Sequence, residues 1–134
     1  MTTATLIMDR WISEPDGHRH AMHWFDTRFD WCKGERERAV NAVYGVESNA
    51  RRPEEVKSLL DESMQVVKYQ SALALFLRNS LIERAKSLGS QWREAVKFAD
   101  LRADATAKIL EEMLELQGIF LEVYANAHLN KNGH

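Results

Sequence analysis

Three histidines near the amino terminus form the one cluster in the sequence with a metal-ligand character. His20 and His23 would share a face of a helix, and His18 could reach them from the preceding turn. A defined zinc site needs further ligands, but the sequence has no cysteine pair and offers only Asp26 at helical spacing after His23. The Glu-x-x-His pairs of di-iron bundles are also absent. Solvated histidines are therefore favoured, no metal or other cofactor is predicted, and metal binding stays open as the minor alternative.

Catalytic motifs are absent from the sequence as well. It contains no P-loop, no Gly-x-Gly-x-x-Gly, no Gly-x-Ser-x-Gly and no Cys-x-x-Cys. The single cysteine, Cys32, has no histidine base close to it in sequence, which favours a packed thiol over a nucleophile. We therefore predict a protein that is not an enzyme and has no catalytic residues.

Aromatic residues are dense in the segment that follows the histidines. Four of them lie within eight residues, at spacings that cover two adjacent faces of a helix. Such a segment can pack as ordinary core or can anchor a helix at an apolar boundary, since indole and phenyl rings favour both. The four residues are Trp24, Phe25, Phe29 and Trp31.

A second apolar segment, residues 73–77, has apolar side chains on nearly every side of its predicted helix. One stripe of this helix runs through Val56, Leu60 and Val67 to Leu88, but other apolar residues lie off the stripe. A two-helix hairpin covers one stripe only, so the surplus must meet a third helix, another subunit or a non-protein apolar phase. The predicted apolar interface therefore adds Leu73, Leu75, Phe76 and Leu77 to the four aromatic residues.

Proline and glycine residues divide the chain into four helical pieces that would position these segments. The predicted single domain, residues 1–134, begins with a short helix and turn over 1–18, its helical part being 3–13. An aromatic-rich helix follows over 19–48, which Gly34 bends or breaks. Two long helices cover 53–88, capped by Gly89, and 90–128. The order of the first thirty residues is left open.

The last helix carries an apolar or small residue at alternating steps of four and three over eleven positions. Together these patterns predict an all-α fold, either an elongated helical hairpin or a three- or four-helix bundle with coiled-coil-like seams. Whether Gly89 allows a hairpin or is absorbed into one long helix is left open. The eleven positions are Trp92, Val96, Ala99, Ala103, Thr106, Leu110, Met113, Gln117, Phe120, Tyr124 and Ala127.

Composition narrows the class of protein further. A net charge of -2 provides no long-range positive field, so nucleic-acid binding is not expected. No apolar run approaches the roughly 18 residues of a transmembrane helix, and the amino terminus lacks the features of a secretion signal. The lone cysteine fits a reducing compartment. These observations predict a cytoplasmic protein without a transmembrane segment.

Two motifs flank the predicted third helix. Its entry is Ala50-Arg-Arg-Pro53-Glu-Glu-Val-Lys-Ser-Leu59, and its exit is Glu83-Arg-Ala-Lys-Ser-Leu-Gly89. A Leu- and Gln-bearing helix lies between them, and the segment 38–44 resembles the helix that leads into it. Over roughly half the chain this pattern resembles phasins, bacterial proteins that coat polyhydroxyalkanoate granules.

The resemblance implies a non-enzymatic cytoplasmic amphiphile that self-associates through its helices and adsorbs to a polyester granule. The two apolar segments would then face the granule surface. The alternative function is a helical adaptor or chaperone that holds a protein partner through its heptad seams. Both hypotheses predict a homo-oligomer, since elongated helices leave a long seam to cover.

Overall fold

Helices make up almost all of the structure, which is a computed structural model. It describes the backbone of residues 2–132 and the side chains of residues 2–126. In this part of the chain there are four helices and no strand: α1 (Thr3–Ser13), α2 (Gly17–Glu47), α3 (Pro53–Arg84) and α4 (Trp92–Asn132). They pack against one another as a helical bundle, which confirms the all-α prediction.

The three long helices form the body of the bundle, and the polar contacts between them show the relative directions in which they run. Arg36 of α2 pairs with Glu112 of α4 at 2.6 Å, and Ser63 of α3 donates a hydrogen bond to Glu35 of α2 at 2.7 Å. Arg78 of α3 pairs with Asp100 of α4. Arg102 of α4 also pairs with Asp26 of α2, so the residue numbers at the contacts rise together along α2 and α4 and fall along α3. Helix α3 therefore runs antiparallel to both. Helices α3 and α4 therefore form a hairpin rather than one long helix.

Helix α1 is short and packs against α2 and α3. The side chain of Thr2 accepts a hydrogen bond from the Thr5 amide and so caps the amino end of α1. One face of α1 is buried through Ala4, Met8 and Trp11. This contact gives the short helix the tertiary support that an isolated helix of its length lacks in water.

The core consists of two clusters that occupy opposite ends of the bundle. One joins α1 to the first half of α2, the second half of α3 and the first half of α4, and Phe25, Leu77 and Trp92 are among its members. The other joins the second half of α2, the first half of α3 and the middle of α4, with Met64 and Phe120 among its members. Burial of these side chains provides the main stabilisation of the bundle.

Helix ends agree with the sequence prediction at some positions and differ at others. Helix α3 begins at Pro53 as predicted, but it ends at Arg84 instead of Leu88, and Gly89 does not cap it. The Ser87 hydroxyl donates a hydrogen bond to the Arg84 carbonyl, and the Leu88 amide bonds the Ala85 carbonyl, so a turn replaces the last helical residues. This turn carries the chain into α4.

Gly34 does not break α2 into two helices, because α2 is continuous from Gly17 to Glu47. The helix ends where Asn49 adopts a left-handed conformation, with φ of 64°. The amide of Ala50 then bonds the Gly45 carbonyl and that of Asn49 bonds the Val46 carbonyl, the pattern of a Schellman motif. Asparagine is one of the few residues other than glycine that tolerates this position.

The heptad positions of α4 lie on its inner side. Ten of the eleven are described, and each of these side chains is buried or half-buried, whereas the side chain of Ala127 lies outside the described residues. The small residues Ala99 and Ala103 are fully buried in the first cluster. Their short side chains allow the neighbouring helices to approach closely at that end.

The molecule is elongated. Helix α4 has 41 residues, which corresponds to a length of about 60 Å at 1.5 Å per residue. The accessible surface of the chain is 8478 Å², whereas a compact protein of this mass exposes about 7,200 Å². None of the helices within the described range combines the length and the apolar character that a membrane crossing requires.

Candidate functional site

An apolar face on α3 is exposed in the structure. Its members are Tyr69, Leu73 and Phe76, and we call it the α3 face. Phe76 is 56% exposed and Tyr69 is 55% exposed, while Leu73 is half-buried. The three residues follow one another at i, i+4 and i+7, so they lie on one side of the helix. With residues 2–4 at the start of α1 they line an open groove of about 280 Å³.

The α3 face exists because α3 has more apolar positions than its neighbours cover. The predicted stripe is buried at Val56, Leu60, Val67, Ala74, Leu77 and Leu81 and half-buried at Leu88. Helices α1, α2 and α4 pack against this stripe, and the start of α1 borders the groove beside the α3 face without covering Phe76. The predicted surplus of apolar surface on this helix is therefore confined to a few residues.

The two apolar segments separate into core and surface residues. Phe25 and Leu77 are 1% and 0% exposed and belong to the first core cluster. Their assignment to an outside interface is corrected, because α1, α2, α3 and α4 of the same chain enclose them. Leu73 and Leu75 are both half-buried and pack on that cluster, but of the 73–77 segment only Leu73 and Phe76 line the groove at the α3 face.

The other aromatic residues of α2 lie at the edge of the bundle. Trp24 is half-buried, with its ring 5.9 Å from that of Trp11 and 5.1 Å from that of Phe25 in edge-on contacts. Phe29 is half-buried beneath the Arg102 guanidinium, 4.9 Å from its ring. Trp31 is 44% exposed. Three of the four predicted aromatics therefore keep part of their surface toward solvent.

A second groove lies between α1 and α2, and we call it the α1–α2 groove. Its volume is about 450 Å³. Apolar side chains line part of it and cationic or imidazole side chains line the rest. The lining residues are Ile7, Arg10, Trp11, His20, His23, Trp24, Thr27 and Arg28. The sequence marks His20, His23 and Trp24 as candidate residues, but its local spacing does not indicate the α1 residues that complete the groove.

The three histidines do not form a metal centre. The ring of His18 packs edge-on against Trp92 with centroids 6.0 Å apart, whereas His20 pairs with Glu14 and His23 is exposed. Within the described residues no group of three His, Cys, Asp or Glu side chains is placed to hold a metal ion. Hydrogen bonds from Arg10 and from His20 lower the pKa of the Glu14 carboxyl.

Cys32 lies in the second core cluster and is fully buried. Burial, and to a lesser extent the charge of Glu35, raises the pKa of its thiol to about 11. The thiolate is therefore scarce at neutral pH, which agrees with the packed thiol expected from the sequence.

Further exposed apolar residues on α4 were missed by the sequence analysis. Leu114 and Leu121, seven residues apart, are 48% and 57% exposed, and Ile119 is 53% exposed. Leu114, Gly118 and Leu121 follow a second seven-residue pattern on the outer side of α4, and a Cβ atom on Gly118 would meet nothing within 4 Å. In the sequence, this short outer pattern is masked by the eleven-position pattern of the inner side.

The chain has no significant match among models of protein families, curated proteins or solved structures.

Proposed function

We propose that the chain is a non-enzymatic, phasin-like protein that coats an apolar surface such as a polyhydroxyalkanoate granule and self-associates there. The α3 face would make the contact. The observation that carries the proposal is the exposure of Phe76, which is 56% exposed beside Tyr69 and Leu73 on a helix that already has a filled inner stripe.

The composition of the α3 face supports contact with an apolar phase. The groove that it borders is lined by two threonines, an alanine and the three large side chains, with no charged residue among these lining residues. Transfer of an exposed Phe side chain from water to an apolar environment contributes about 1.5–3 kcal/mol. The contributions of Tyr69, Leu73 and Phe76 would add up over the many copies that form a coat.

The second candidate is a helical adaptor or chaperone, and the shape of the same face favours it. Tyr69, Leu73 and Phe76 have the i, i+4, i+7 spacing of helix-to-helix contacts, and the start of α1 makes this surface concave. A groove of this kind accepts an amphipathic helix of a partner protein. The two candidates use the same residues, so an experiment must separate the occupants.

Sedimentation with polyhydroxybutyrate particles tests the coat. We expect the wild-type protein to sediment with the particles, and Phe76→Ser to reduce the bound fraction at least fivefold. Tyr44→Ser is the matched control, because Tyr44 is 65% exposed at the other end of the bundle. Circular dichroism verifies that both variants keep the helical content of the wild type.

The outcomes separate the two candidates. Absence of sedimentation above a helical control protein overturns the coat. A stoichiometric complex with a protein from cell extract, lost in Phe76→Ser and kept in Tyr44→Ser, would then identify the adaptor. Equal particle binding by wild type and Phe76→Ser shows that the α3 face is not the contact.

Self-association is part of the proposal, and the outer side of α4 supports it. Leu114 and Leu121 are exposed on one side of the helix, and Gly118 between them leaves room for close approach of another helix. Light scattering should give a multiple of 15.5 kDa for the wild type and a smaller mass for Leu114→Ser/Leu121→Ser. A monomeric wild type contradicts this part.

A further inference from the structure

Arg28 differs from the other stacked arginine of the bundle in lacking a carboxylate partner. Its guanidinium lies 5.2 Å from the ring centroid of Trp24 and 5.5 Å from that of Trp31. Its Nε atom is buried and has no hydrogen-bond partner within the described residues, and Arg28 forms no ion pair there. Arg102 also stacks on two rings, but it pairs with Asp26 at 3.3 Å.

The α1–α2 groove places this guanidinium beside an apolar wall. Trp11, which is 4% exposed, Ile7 and the half-buried Trp24 supply apolar surface, while Arg10, His20 and His23 add further N–H groups. No carboxylate is among the lining residues that the structure describes. Glu14, the nearby acid, is bound to Arg10 at 3.0 Å and to His20.

A guanidinium held in one orientation by stacked indoles has little rotamer freedom left to lose on binding an anion. It also offers paired N–H donors that match a carboxylate or phosphate. An unpaired arginine next to the half-buried indole of Trp24 favours a ligand that combines an anionic group with a flat apolar group. The volume of about 450 Å³ is within the range of small-molecule sites.

From this arrangement we infer that the α1–α2 groove binds a small aromatic carboxylate or a similar organic anion. Arg28 receives the anionic group, and Trp11, Trp24 and Ile7 contact the ring. This site is separate from the α3 face and from the granule coat, so neither proposal depends on the other.

Titration with 2-naphthoate, followed through the tryptophan indole N–H signals in NMR spectra of the full chain, tests the site. We expect saturable shifts of the Trp11 and Trp24 signals and a much smaller shift of Trp92, which is outside the groove. The neutral analogue 2-naphthalenemethanol should bind at least tenfold more weakly, as should inorganic phosphate, which lacks the ring.

Two arginine variants distinguish a binding role from a structural one. Arg28→Gln should weaken 2-naphthoate at least tenfold, whereas Arg102→Gln, which removes the other stacked arginine, should leave the dissociation constant within twofold. If Arg28→Gln lowers the helical content, Arg28→Lys is used, and a loss of at least threefold is expected because lysine lacks the planar fork.

Several results would overturn the site. They are unsaturable shifts, equal affinity of wild type and Arg28→Gln, equal affinity for the acid and the alcohol, and phosphate affinity that equals that of 2-naphthoate. Binding to phosphatidylglycerol vesicles without binding of free 2-naphthoate also overturns it and assigns the groove to a lipid surface.

Discussion

The backbone of Gly17 lies directly against the carbonyl group of Trp11. A Cβ atom on residue 17 would be 1.6 Å from the Trp11 oxygen and 2.6 Å from the carbonyl carbon. Because the obstacle is backbone, it cannot move aside as a flexible side chain would. The close approach of α1 and α2, and with it the α1–α2 groove, therefore depends on glycine at this position.

Gly17→Ala should destabilise the protein. The added methyl group forces α1 away from α2, and overpacking of this kind costs about 1–3 kcal/mol. The free energy of unfolding in urea, followed by circular dichroism, measures the effect.

Gly34→Ala is the matched control for this substitution. Gly34 lies within α2, and a Cβ atom there would have no neighbour within 4 Å. Alanine should raise the stability by about 0.5–1 kcal/mol because glycine is a poor residue in a helix interior. Equal effects of the two substitutions would show that the Trp11 contact is not tight.

Gln70 is a second position at which the structure predicts the direction in which a single substitution changes the free energy of unfolding. Its side chain is 6% exposed within the bundle, and its Oε1 atom has no hydrogen-bond partner among the described residues. Gln70→Met keeps the shape and removes the unsatisfied oxygen, so we expect a gain of about 1 kcal/mol in urea unfolding.

Gln65→Met on the same helix is the control, since Gln65 is exposed. It should change the stability by less than about 0.5 kcal/mol. A loss of stability in Gln70→Met would mean that the amide group of Gln70 stabilises the folded state although its Oε1 atom has no hydrogen-bond partner.

Much of the fold could be predicted from sequence because the signals are local. Pro53 fixes the start of α3, and the Pro-Asp-Gly turn separates α1 from α2. The spacing of apolar residues on α4 likewise identified its inner side. The predicted end of α3 at Leu88 is wrong. The helix stops earlier because Ser87 and Leu88 donate hydrogen bonds to the carbonyls of Arg84 and Ala85 in a turn, and Gly89 takes no part.

The candidate sites could be predicted only in part, because exposure depends on how several helices meet. Phe25 and Phe76 both lie in segments rich in apolar residues, yet the first is 1% exposed and the second 56%. Helical periodicity does not show which side α1 will cover. The α1–α2 groove forms only because Trp11 of α1 and Gly17 of α2 are in contact. The sequence pattern of either helix alone therefore does not indicate the groove.

Cys32 should react slowly with thiol reagents. Its pKa is raised from the ordinary 9.0 to about 11, chiefly by burial, so its thiolate fraction at pH 8 is about a hundredfold below that of an unfolded chain. Alkylation by iodoacetamide in the presence and absence of urea measures the ratio. A similar rate in both states would show that the thiol is accessible in the folded protein.

The same shift predicts how stability depends on alkaline pH. The folded state holds the Cys32 proton more tightly than the unfolded state, so the contribution is fully present below pH 9 and is lost as the pH rises to about 11. Comparison with Cys32→Ala isolates this component from the titration of lysines and tyrosines. The wild type should lose more stability than the variant over this interval.

The lowered pKa of Glu14 predicts the opposite pH dependence of stability, on the acid side. Hydrogen bonds from Arg10, and then from His20, depress the pKa of its carboxyl below 4.5, so its stabilising effect is present above that value and disappears as the pH falls through the lowered pKa. Glu14→Gln should lower the thermal midpoint at pH 7 only slightly, because exposed ion pairs contribute little. The midpoints of variant and wild type should converge below the lowered pKa. A difference that persists in strong acid would show that Glu14 acts through packing at the end of α1 and not through its charge.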